Sequence, residues 1–324
     1  MLWEKIGSGS LRLNNRLVMP PMESGRAERG RVTPALVEHY RQRAEGSRPG
    51  LIIVEHNCIT EAGRASAAQL SIAEDAVIDG HSRLTDAIHE AGSLCILQLN
   101  HGGNAAEPFD GGEIVSASPV PNPRKKLERL PRALTVPEIR ELEERFAEAA
   151  QRALRAGYDG VELHCAHGYL LDQFYSPLTN LRHDDYGCDS LENRLRFLTE
   201  AMAQVRSAIG DDVPMAVRLG GADYLPGGAT EEDAVKSAVM LADAGADLLD
   251  LSGGMCGYIR AGHPEPGYFG SMTEQIKAAV SAPVLLTGGV QTPAQAEELL
   301  QAGKADLIGV GRALFRDPRW AEQA

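Results

Sequence analysis

The sequence predicts an α/β protein whose strands close into one parallel, eight-stranded (β/α)8 barrel. Short apolar runs of strand length alternate with helical segments along the 324 residues, a pattern that is typical of βαβ units. Eight such alternations favour a closed barrel over an open sheet. Glycine pairs follow the last two apolar runs, where many barrels bind phosphate. We therefore expect a single domain over residues 1–324.

Composition narrows the function classes. The chain carries 32 Lys and Arg against 45 Asp and Glu, for a net charge of -13. A chain this acidic is not expected to bind nucleic acid or an anionic membrane. No apolar run approaches ~18 residues and the N-terminus has no signal-like core, so we expect a cytoplasmic protein. The cysteines are widely spaced and odd in number, which predicts neither disulfides nor a Cys-x-x-Cys cluster. They are Cys58, Cys95, Cys165, Cys188 and Cys256.

Each predicted element has a local signal. Residues 1–16 are expected to cover the barrel floor, and Pro20 ends the first strand because proline cannot continue a central ladder. Thr33 caps the first helix, and Thr135 with Glu138 forms a capping box before a long amphipathic helix. The predicted strands are 17–20, 51–55, 94–99, 160–163, 215–219, 247–251, 283–287 and 306–310. The predicted helices are 33–44, 78–91, 135–156, 190–207 and 231–244.

The stretch 160–194 carries the clearest chemical signal. Its apolar strand is followed at once by His164, His167 and Tyr169. Two imidazoles that leave a strand into a turn can point both N–H donors at one ligand oxygen, and a nearby tyrosine can donate a proton. This arrangement suits a carbonyl oxygen that gains negative charge during a reaction. Metal ligation by His-x-x-His is the weaker alternative, and Cys165 is expected to point away from the histidines.

The same stretch, HCAHGYLLDQFYSPLTNLRHDDYGCDSLENRLRF, resembles the fourth-strand signature of the Old Yellow Enzyme family of flavin-dependent ene-reductases. The match runs over more than thirty residues, and the resemblance covers residues 10–318. It implies an FMN-containing TIM barrel in which His164 and His167 hold the carbonyl oxygen of the substrate and Tyr169 delivers a proton. Cys188 replaces the glycine that is usual in the family, and we expect it to affect a turn and not the chemistry.

The resemblance also assigns flavin contacts. Pro21 and Met22 in NRLVMPPM would run along the flavin, with a simple strand end as the alternative. Gln98 is a polar residue in a buried strand and needs hydrogen-bond partners; within QLNHGG it resembles a flavin-binding glutamine. Arg218 in the fifth strand would face the flavin N1–C2=O region, with an internal ion pair to a neighbouring acid as the alternative. Glycine-rich turns, a helix N-terminus and a late arginine predict a phosphate site. Its candidates are Gly254, Gly288, Gly289, Gly309, Gly311 and Arg312.

Glu23 is an anomaly, because the matching family position is usually a small polar or thiol residue near the pyrimidine edge of the flavin. A carboxylate there would oppose the negative charge of reduced flavin. His56 follows the second predicted strand and is expected at the same barrel rim. We therefore predict that Glu23 and His56 pair, that the pair offsets part of this penalty, and that it sets the flavin potential. The alternative is that Glu23 points to solvent.

The connection after the third strand, residues 104–135, is long and proline-rich, which is typical of a functional lid. Its basic residues are Arg124, Lys125, Lys126, Arg129 and Arg132. A solvated charged face is the ordinary explanation for such a cluster. The alternative is a basic lid that attracts the phosphates of a nicotinamide nucleotide or an anionic substrate.

Residues and resemblance together predict an FMN-dependent oxidoreductase that uses NADH or NADPH to reduce the activated C=C bond of an α,β-unsaturated carbonyl compound, with ping-pong kinetics. A desaturase or oxidase on the same flavin barrel is one alternative, and a flavin-free phosphate-binding lyase or isomerase is another. No predicted strand ends in the lysine that a Schiff-base aldolase needs. We expect the single-domain branch of the family, a small-molecule substrate and no metal. A homo-oligomer is compatible with the sequence.

Overall fold

The computed structural model describes residues 1–107, 111–124 and 130–323. Eight parallel strands form a closed barrel, because the first strand pairs with both the second and the eighth. The strands are β1 (Leu17–Met19), β2 (Leu51–Cys58), β3 (Leu94–Asn100), β4 (Gly160–Cys165), β5 (Met215–Ala222), β6 (Leu248–Gly253), β7 (Val284–Thr287) and β8 (Leu307–Gly309). The predicted (β/α)8 fold class is confirmed.

Helices connect successive strands and cover the outside of the barrel. They are α1 (Pro34–Ser47), α2 (Ile78–Glu90), α3 (Val136–Arg155), α4 (Leu170–Tyr175), α5 (Leu191–Ile209), α6 (Glu231–Asp243), α7 (Gly270–Ala279), α8 (Pro293–Gln301) and α9 (Arg312–Arg316). Thr33 Oγ1 accepts a hydrogen bond from the N–H of Leu36 at 3.2 Å and caps α1. Thr135 and Glu138 form the predicted capping box at the start of α3. No helix in the described part of the chain is long and apolar enough to cross a membrane.

The inside of the barrel is apolar at the end where the strands begin. We call the buried side chains there the floor cluster, and its strand members are Val18, Leu51, Ile53, Ile96, Ala216, Leu248, Leu285 and Leu307. A hairpin of Ile6–Ser8 and Leu11–Leu13 covers this end, and Leu11 and Leu13 pack into the same cluster with 3% exposure each. The expected lead-in over the barrel floor is therefore present. The polar side chains inside the barrel lie toward the opposite end, where the strands end.

Two strands run three residues past their predicted ends, each through a register shift. β2 continues to Cys58 with a shift between Val54 and Asn57, and β5 continues to Ala222 with a shift between Gly220 and Ala222. A bulge breaks the period of two on which strand prediction rests, so the pattern ended both strands too early. The first bulge turns His56 into the cavity at the carboxyl ends of the strands.

Several short features left no periodic signal. Val115–Ser116 pairs in parallel with Arg132–Ala133 inside the predicted lid, so the two ends of this connection form a short two-stranded sheet. Helix α4 follows Tyr169 directly and has six residues, too few for a helical period to be recognised. Cys188 lies in a turn, as expected, where its N–H donates to the carbonyl of Arg182 at 3.1 Å.

Candidate active site

A cavity of about 440 Å³ opens at the C-terminal ends of the strands. In (β/α)8 barrels this end carries the active site. The cavity is lined by every predicted site residue except Gly254, namely Pro21, Met22, Glu23, His56, Gln98, His164, His167, Tyr169, Arg218, Gly288, Gly289, Gly309, Gly311 and Arg312. Residues from the region of the first strand, β1, to the last helix, α9, thus line the same cavity.

Gly254 does not line the cavity. It packs so closely against the carboxylate of Asp223 and the carbonyl of Gly220 that a Cβ has no room, and its N–H donates to the carbonyl of Ala222 at 2.9 Å. Close packing explains this glycine, and a phosphate contact is not needed to do so. A Gly pair after a strand signals close approach without saying what approaches.

His164, His167 and Tyr169 form one cluster in the cavity wall. The ring centroid of His164 lies 5.1 Å from that of His167 and 5.0 Å from that of Tyr169. His167 has a φ of 61°, a left-handed conformation that residues other than glycine rarely adopt. This conformation turns the chain back, so that both imidazoles face the same cavity. The Asp172 carboxylate accepts the N–H of Gly168 at 2.7 Å and holds the turn.

Burial keeps both histidines neutral. Desolvation lowers the pKa of His164 and of His167 well below the ordinary range, and the nearby charge of Arg218 lowers each further. His164 Nδ1 is buried without a hydrogen-bond partner among the described residues. His167 Nε2 lies 2.8 Å from the hydroxyl of Ser252. Neutral imidazoles can donate N–H groups to a ligand oxygen without bringing a second cation into the site.

Tyr169 is held in its protonated form. Desolvation raises the pKa of its phenol to about 12, and the negative charge of Glu23 adds to the effect. The ring of His56 lies beside it, with centroids 5.4 Å apart. At neutral pH the hydroxyl is therefore available as a proton donor.

The predicted contact between Glu23 and His56 is present. His56 Nε2 lies 3.1 Å from Glu23 Oε2, and the hydroxyl of Ser66 donates to Glu23 Oε1 at 2.6 Å. Gln69 Nε2 and Asn100 Nδ2 lie 2.9 and 3.1 Å from His56 Nδ1. Amide nitrogens only donate, so Nδ1 accepts and the neutral ring carries its proton on Nε2, toward Glu23.

The orientation of the Gln69 amide is set by the backbone, because its Oε1 accepts the N–H of Ala65 at 2.6 Å. A proton on His56 Nδ1 would face the amide hydrogens of Gln69. In this arrangement His56 gives Glu23 a hydrogen bond. The part of the prediction in which this pair offsets the carboxylate charge stays a prediction.

A layer of four polar side chains, the polar layer, lies between the histidines and the floor cluster. Strand register places Gln98 opposite Glu162 and Arg218 opposite Asp250. Gln98 Nε2 donates to Glu162 Oε1 at 2.8 Å. Arg218 Nε lies 3.3 Å from Asp250 Oδ2, an ion pair without hydrogen-bond alignment. The internal ion pair considered for Arg218 thus forms, while Arg218 also lines the cavity.

Close approach explains the glycines after β7 and β8. An added Cβ at Gly288 or Gly289 would lie 2.9 Å from the ring of Tyr268, and one at Gly311 would lie 3.2 Å from Met22 Sδ. Backbone is therefore exposed to the cavity beside Arg312. Backbone groups and a guanidinium are suitable phosphate donors. The helix N-terminus that was predicted for the phosphate site is that of α9, which has only five residues.

The basic residues of the predicted lid separate into different roles. Arg124 donates to the carbonyl of His167 and so lies over the site. Arg132 is occupied by ion pairs with Glu113 at 2.9 Å and Glu138 at 2.7 Å, which removes it from a ligand-attracting role. The other three basic residues, Lys125, Lys126 and Arg129, lie outside the described residues.

Several lining residues escaped sequence analysis: Pro20, Tyr258, Tyr268, Thr287, Val290, Gln291 and Phe315. Tyr258 is 53% exposed and its ring centroid lies 6.0 Å from that of His167. The hydroxyl of Tyr268 donates a hydrogen bond to the backbone carbonyl of Tyr258 at 2.5 Å. Isolated aromatics in a glycine-rich connection were the available signal, although such residues are common in loops without function.

A separate group of ligand-type side chains lies at the opposite end of the strands. Atoms of His89, Cys95 and Asp159 that could bind a metal ion lie within 4.8 Å of one another. His89 Nε2 is 2.8 Å from Asp159 Oδ2, and the N–H of Cys95 donates to the same oxygen at 2.8 Å. These internal hydrogen bonds account for the cluster. Cys165 packs in the outer core, away from the histidines, as predicted.

The cavity fits a flavin mononucleotide. Its volume lies within the range of cofactor sites. The partnerless Nδ1 of His164 and the guanidinium of Arg218 offer polar contacts for a ligand, and the glycine backbone with Arg312 suits its phosphate. Fold and site together define the class of flavin-dependent barrel oxidoreductases.

The sequence matches the NADH:flavin oxidoreductase / NADH oxidase family over residues 1–324, and the chain belongs to that family. Membership assigns FMN as the cofactor and NADH or NADPH as the reductant. The chain is 38% identical over 322 residues to an NADH oxidase of Thermoanaerobacter brockii and 40% identical over 319 residues to an NADPH dehydrogenase of Halalkalibacterium halodurans. A solved Old Yellow Enzyme homologue from Zymomonas mobilis superposes with a TM-score of 0.83 at 31% identity.

These relatives differ in length. The matched segments cover 98%, 96% and 98% of this chain. They cover 49% of the Thermoanaerobacter protein but 90% of each of the other two. The chain thus spans about half the length of some relatives and nearly all of others.

Proposed function

We propose that the chain catalyses the NAD(P)H-dependent reduction of the activated C=C bond of α,β-unsaturated carbonyl compounds. The observation that carries this proposal is the cluster of His164, His167 and Tyr169, in which two neutral imidazoles and a protonated phenol face one cavity. Oxidation of NAD(P)H alone does not require such a cluster. A substrate that gains both negative charge on oxygen and a proton on carbon does.

The cofactor would be held by residues from both sides of the barrel. Gln98 and Arg218 would contact the ring system, and Gly288, Gly289 and Arg312 the phosphate. FMN, when bound, supplies hydride transfer from NAD(P)H to the substrate. The remaining steps fall to the protein, which binds, orients and protonates the substrate.

His164 and His167 would donate N–H groups to the carbonyl oxygen of the substrate. As hydride reaches the β-carbon, negative charge develops on that oxygen, and preorganised donors in a buried site stabilise it more than water does. The turn held by Asp172 keeps His167 in place for this role. Tyr169 would then transfer its hydroxyl proton to the α-carbon and regain a proton from solvent.

A single cavity serves two half-reactions in this scheme. NAD(P)H and the unsaturated substrate would occupy it in turn, which predicts ping-pong kinetics and competition between the two ligands. Initial rates measured at several fixed concentrations of enone should give parallel double-reciprocal lines. Intersecting lines would contradict the shared cavity.

The first test is the visible spectrum of purified protein supplied with FMN, followed without oxygen. A flavin band that bleaches with NAD(P)H and returns on addition of a cyclic enone supports the proposal. Bleaching without return favours the desaturase or oxidase alternative. Failure to bind FMN favours the flavin-free lyase or isomerase. A Tyr169→Phe variant should still bleach but return slowly.

A further inference from the structure

The polar layer places one cation between two acids. Arg218 on β5 is opposite Asp250 on β6, and it is diagonal to Glu162 on β4, which is opposite Ala216. Both carboxylates are fully buried, and Arg218 is 3% exposed. This neighbourhood follows from the register of three adjacent strands and does not depend on one rotamer.

The hydrogen bonds in this layer are incomplete. Glu162 Oε2, Arg218 Nε and Asp250 Oδ2 are buried and have no hydrogen-bond partner among the described residues. One guanidinium cannot compensate two buried carboxylates, because an unpaired charge in a dry interior is costly. Burial and the charge of Asp250 raise the pKa of Glu162 well above its ordinary range, while burial raises that of Asp250 to about 6. The two acids together therefore hold a proton near neutral pH.

We propose that Glu162 and Asp250 are positioning residues that act through Arg218: they share one proton, and they bind a second when negative charge develops in the cavity. The inference rests on the proposed function, because it requires FMN in this cavity. When the second proton binds, Arg218 no longer pairs with a charged carboxylate. Its positive charge then acts on the cavity. The acids thereby control how strongly Arg218 favours the reduced cofactor.

A hydride from NAD(P)H brings two electrons and one hydrogen nucleus, and leaves one negative charge on the reduced cofactor. The second proton comes from solvent and binds the Glu162–Asp250 pair, so no further oxidant or reductant is needed. The other groups that face the pair are Arg218, the Gln98 amide on Glu162 and the Thr287 hydroxyl, 3.4 Å from Asp250 Oδ1. His164, above Glu162 on β4, is neutral.

The test measures the midpoint potential of bound FMN by dye equilibration from about pH 6 to pH 9. Glu162→Gln/Asp250→Asn removes both carboxylates, so no acid remains in the layer to bind the second proton. We expect the wild-type potential to fall more steeply with pH, by about one proton per two electrons, than that of this double variant. Glu143→Gln, which changes a buried acid between α3 and α5, is the matched control and should keep the wild-type slope.

The possible results separate the two proposals. Wild-type protein that binds FMN but has the same slope as the double variant overturns this inference and leaves the proposed function standing. Wild-type protein that does not bind FMN removes the proposed function itself. If the double variant does not fold, proton uptake by the wild type decides. Reduction of bound FMN by NADH in weakly buffered solution with a pH indicator should take up about one proton per FMN, and no uptake overturns the inference. A slope lost equally in the Glu143→Gln control also overturns the inference, because the extra proton then binds elsewhere.

Discussion

The two ends of the barrel use the same eight strands in opposite ways. At the end where the strands begin, the floor cluster is wholly apolar and the N-terminal hairpin covers it. At the other end, the cavity contains buried polar atoms that have no partner in the described part of the chain, and a histidine in a left-handed conformation. Apolar packing contributes stability, whereas unsatisfied groups and backbone strain cost stability. The difference indicates that the floor sustains the fold while the cavity end is arranged for ligands.

This comparison predicts that substitutions at the two ends affect different measurements. Changes in the cavity should alter rates or potentials with little effect on unfolding. Changes at the floor should alter unfolding with little effect on FMN.

Tyr169→Phe should have the largest effect. Loss of the proton donor should slow the reoxidation of reduced FMN by an enone about 10²–10⁴-fold, because general acid catalysis contributes that much. Reduction of FMN by NADPH should change little. Stopped-flow measurement of each half-reaction tests this, and equal slowing of both halves would contradict the assigned role.

Leu13→Ala tests the floor. Leu13 is buried in the floor cluster, and truncation of a buried leucine costs about 2–5 kcal/mol. Arg12 lies between Leu11 and Leu13 with its side chain exposed, so Arg12→Ala is the matched control. Urea unfolding should separate the two variants, whereas both should bind FMN like the wild type. A loss of FMN affinity in Leu13→Ala at low denaturant would break the division between the ends.

His164→Ala should lower kcat/KM for an enone by about 10²–10³-fold, the usual cost of removing one donor to a developing oxyanion. His164→Asn keeps an N–H donor near the same position and should lose less. Steady-state kinetics with both variants distinguishes donation from simple space filling. Equal losses in the two would indicate that the ring shape, and not the N–H group, is required.

Glu143 allows a buried acid outside the cavity to be compared with the polar layer. It lies beside Glu200 between α3 and α5, and burial, with the charge of Glu200, raises its pKa to about 8. The folded state therefore retains a proton that the unfolded state loses above pH ~4.5, and stability falls as pH rises from about 4.5 to 8. Glu143→Gln should raise Tm by roughly 2–4 °C at pH 8 and leave it unchanged at pH 4. Thermal unfolding at both pH values is the measurement, and a gain at pH 4 would contradict the cause.

Glu23→Thr should have the smallest effect. Glu23 is 31% exposed at the cavity rim, so solvent screens its charge. Removing the carboxylate should raise the midpoint potential of FMN, by about 30 mV or less, a tenfold change in a two-electron equilibrium. Glu23→Gln, which removes the charge and keeps the size, should match it. An unchanged potential in both would exclude Glu23 as a determinant.

Local pattern was sufficient for much of this molecule. The barrel strands, the caps at Thr33 and Thr135, and the run of His164, His167 and Tyr169 at a strand end follow from composition, periodicity and residue type within a few neighbours. Burial alternates along a strand and recurs along a helix, so a linear sequence contains this information. The glycines after β7 and β8 were also recognisable, because close approach requires them.

Tertiary structure decided which of these residues meet, and how. The bulge in β2 aims His56, strand register places Arg218 against Asp250, and Gly254 packs behind the cavity although its sequence resembles that of the lining glycines. Tyr258 reaches the site only because the connection after β6 folds over His167. Contacts between strands depend on register and on closure of the barrel, which no short stretch contains. The chemistry of single residues could therefore be predicted from the sequence. Their protonation and their pairing depend on contacts that exist only in the closed barrel.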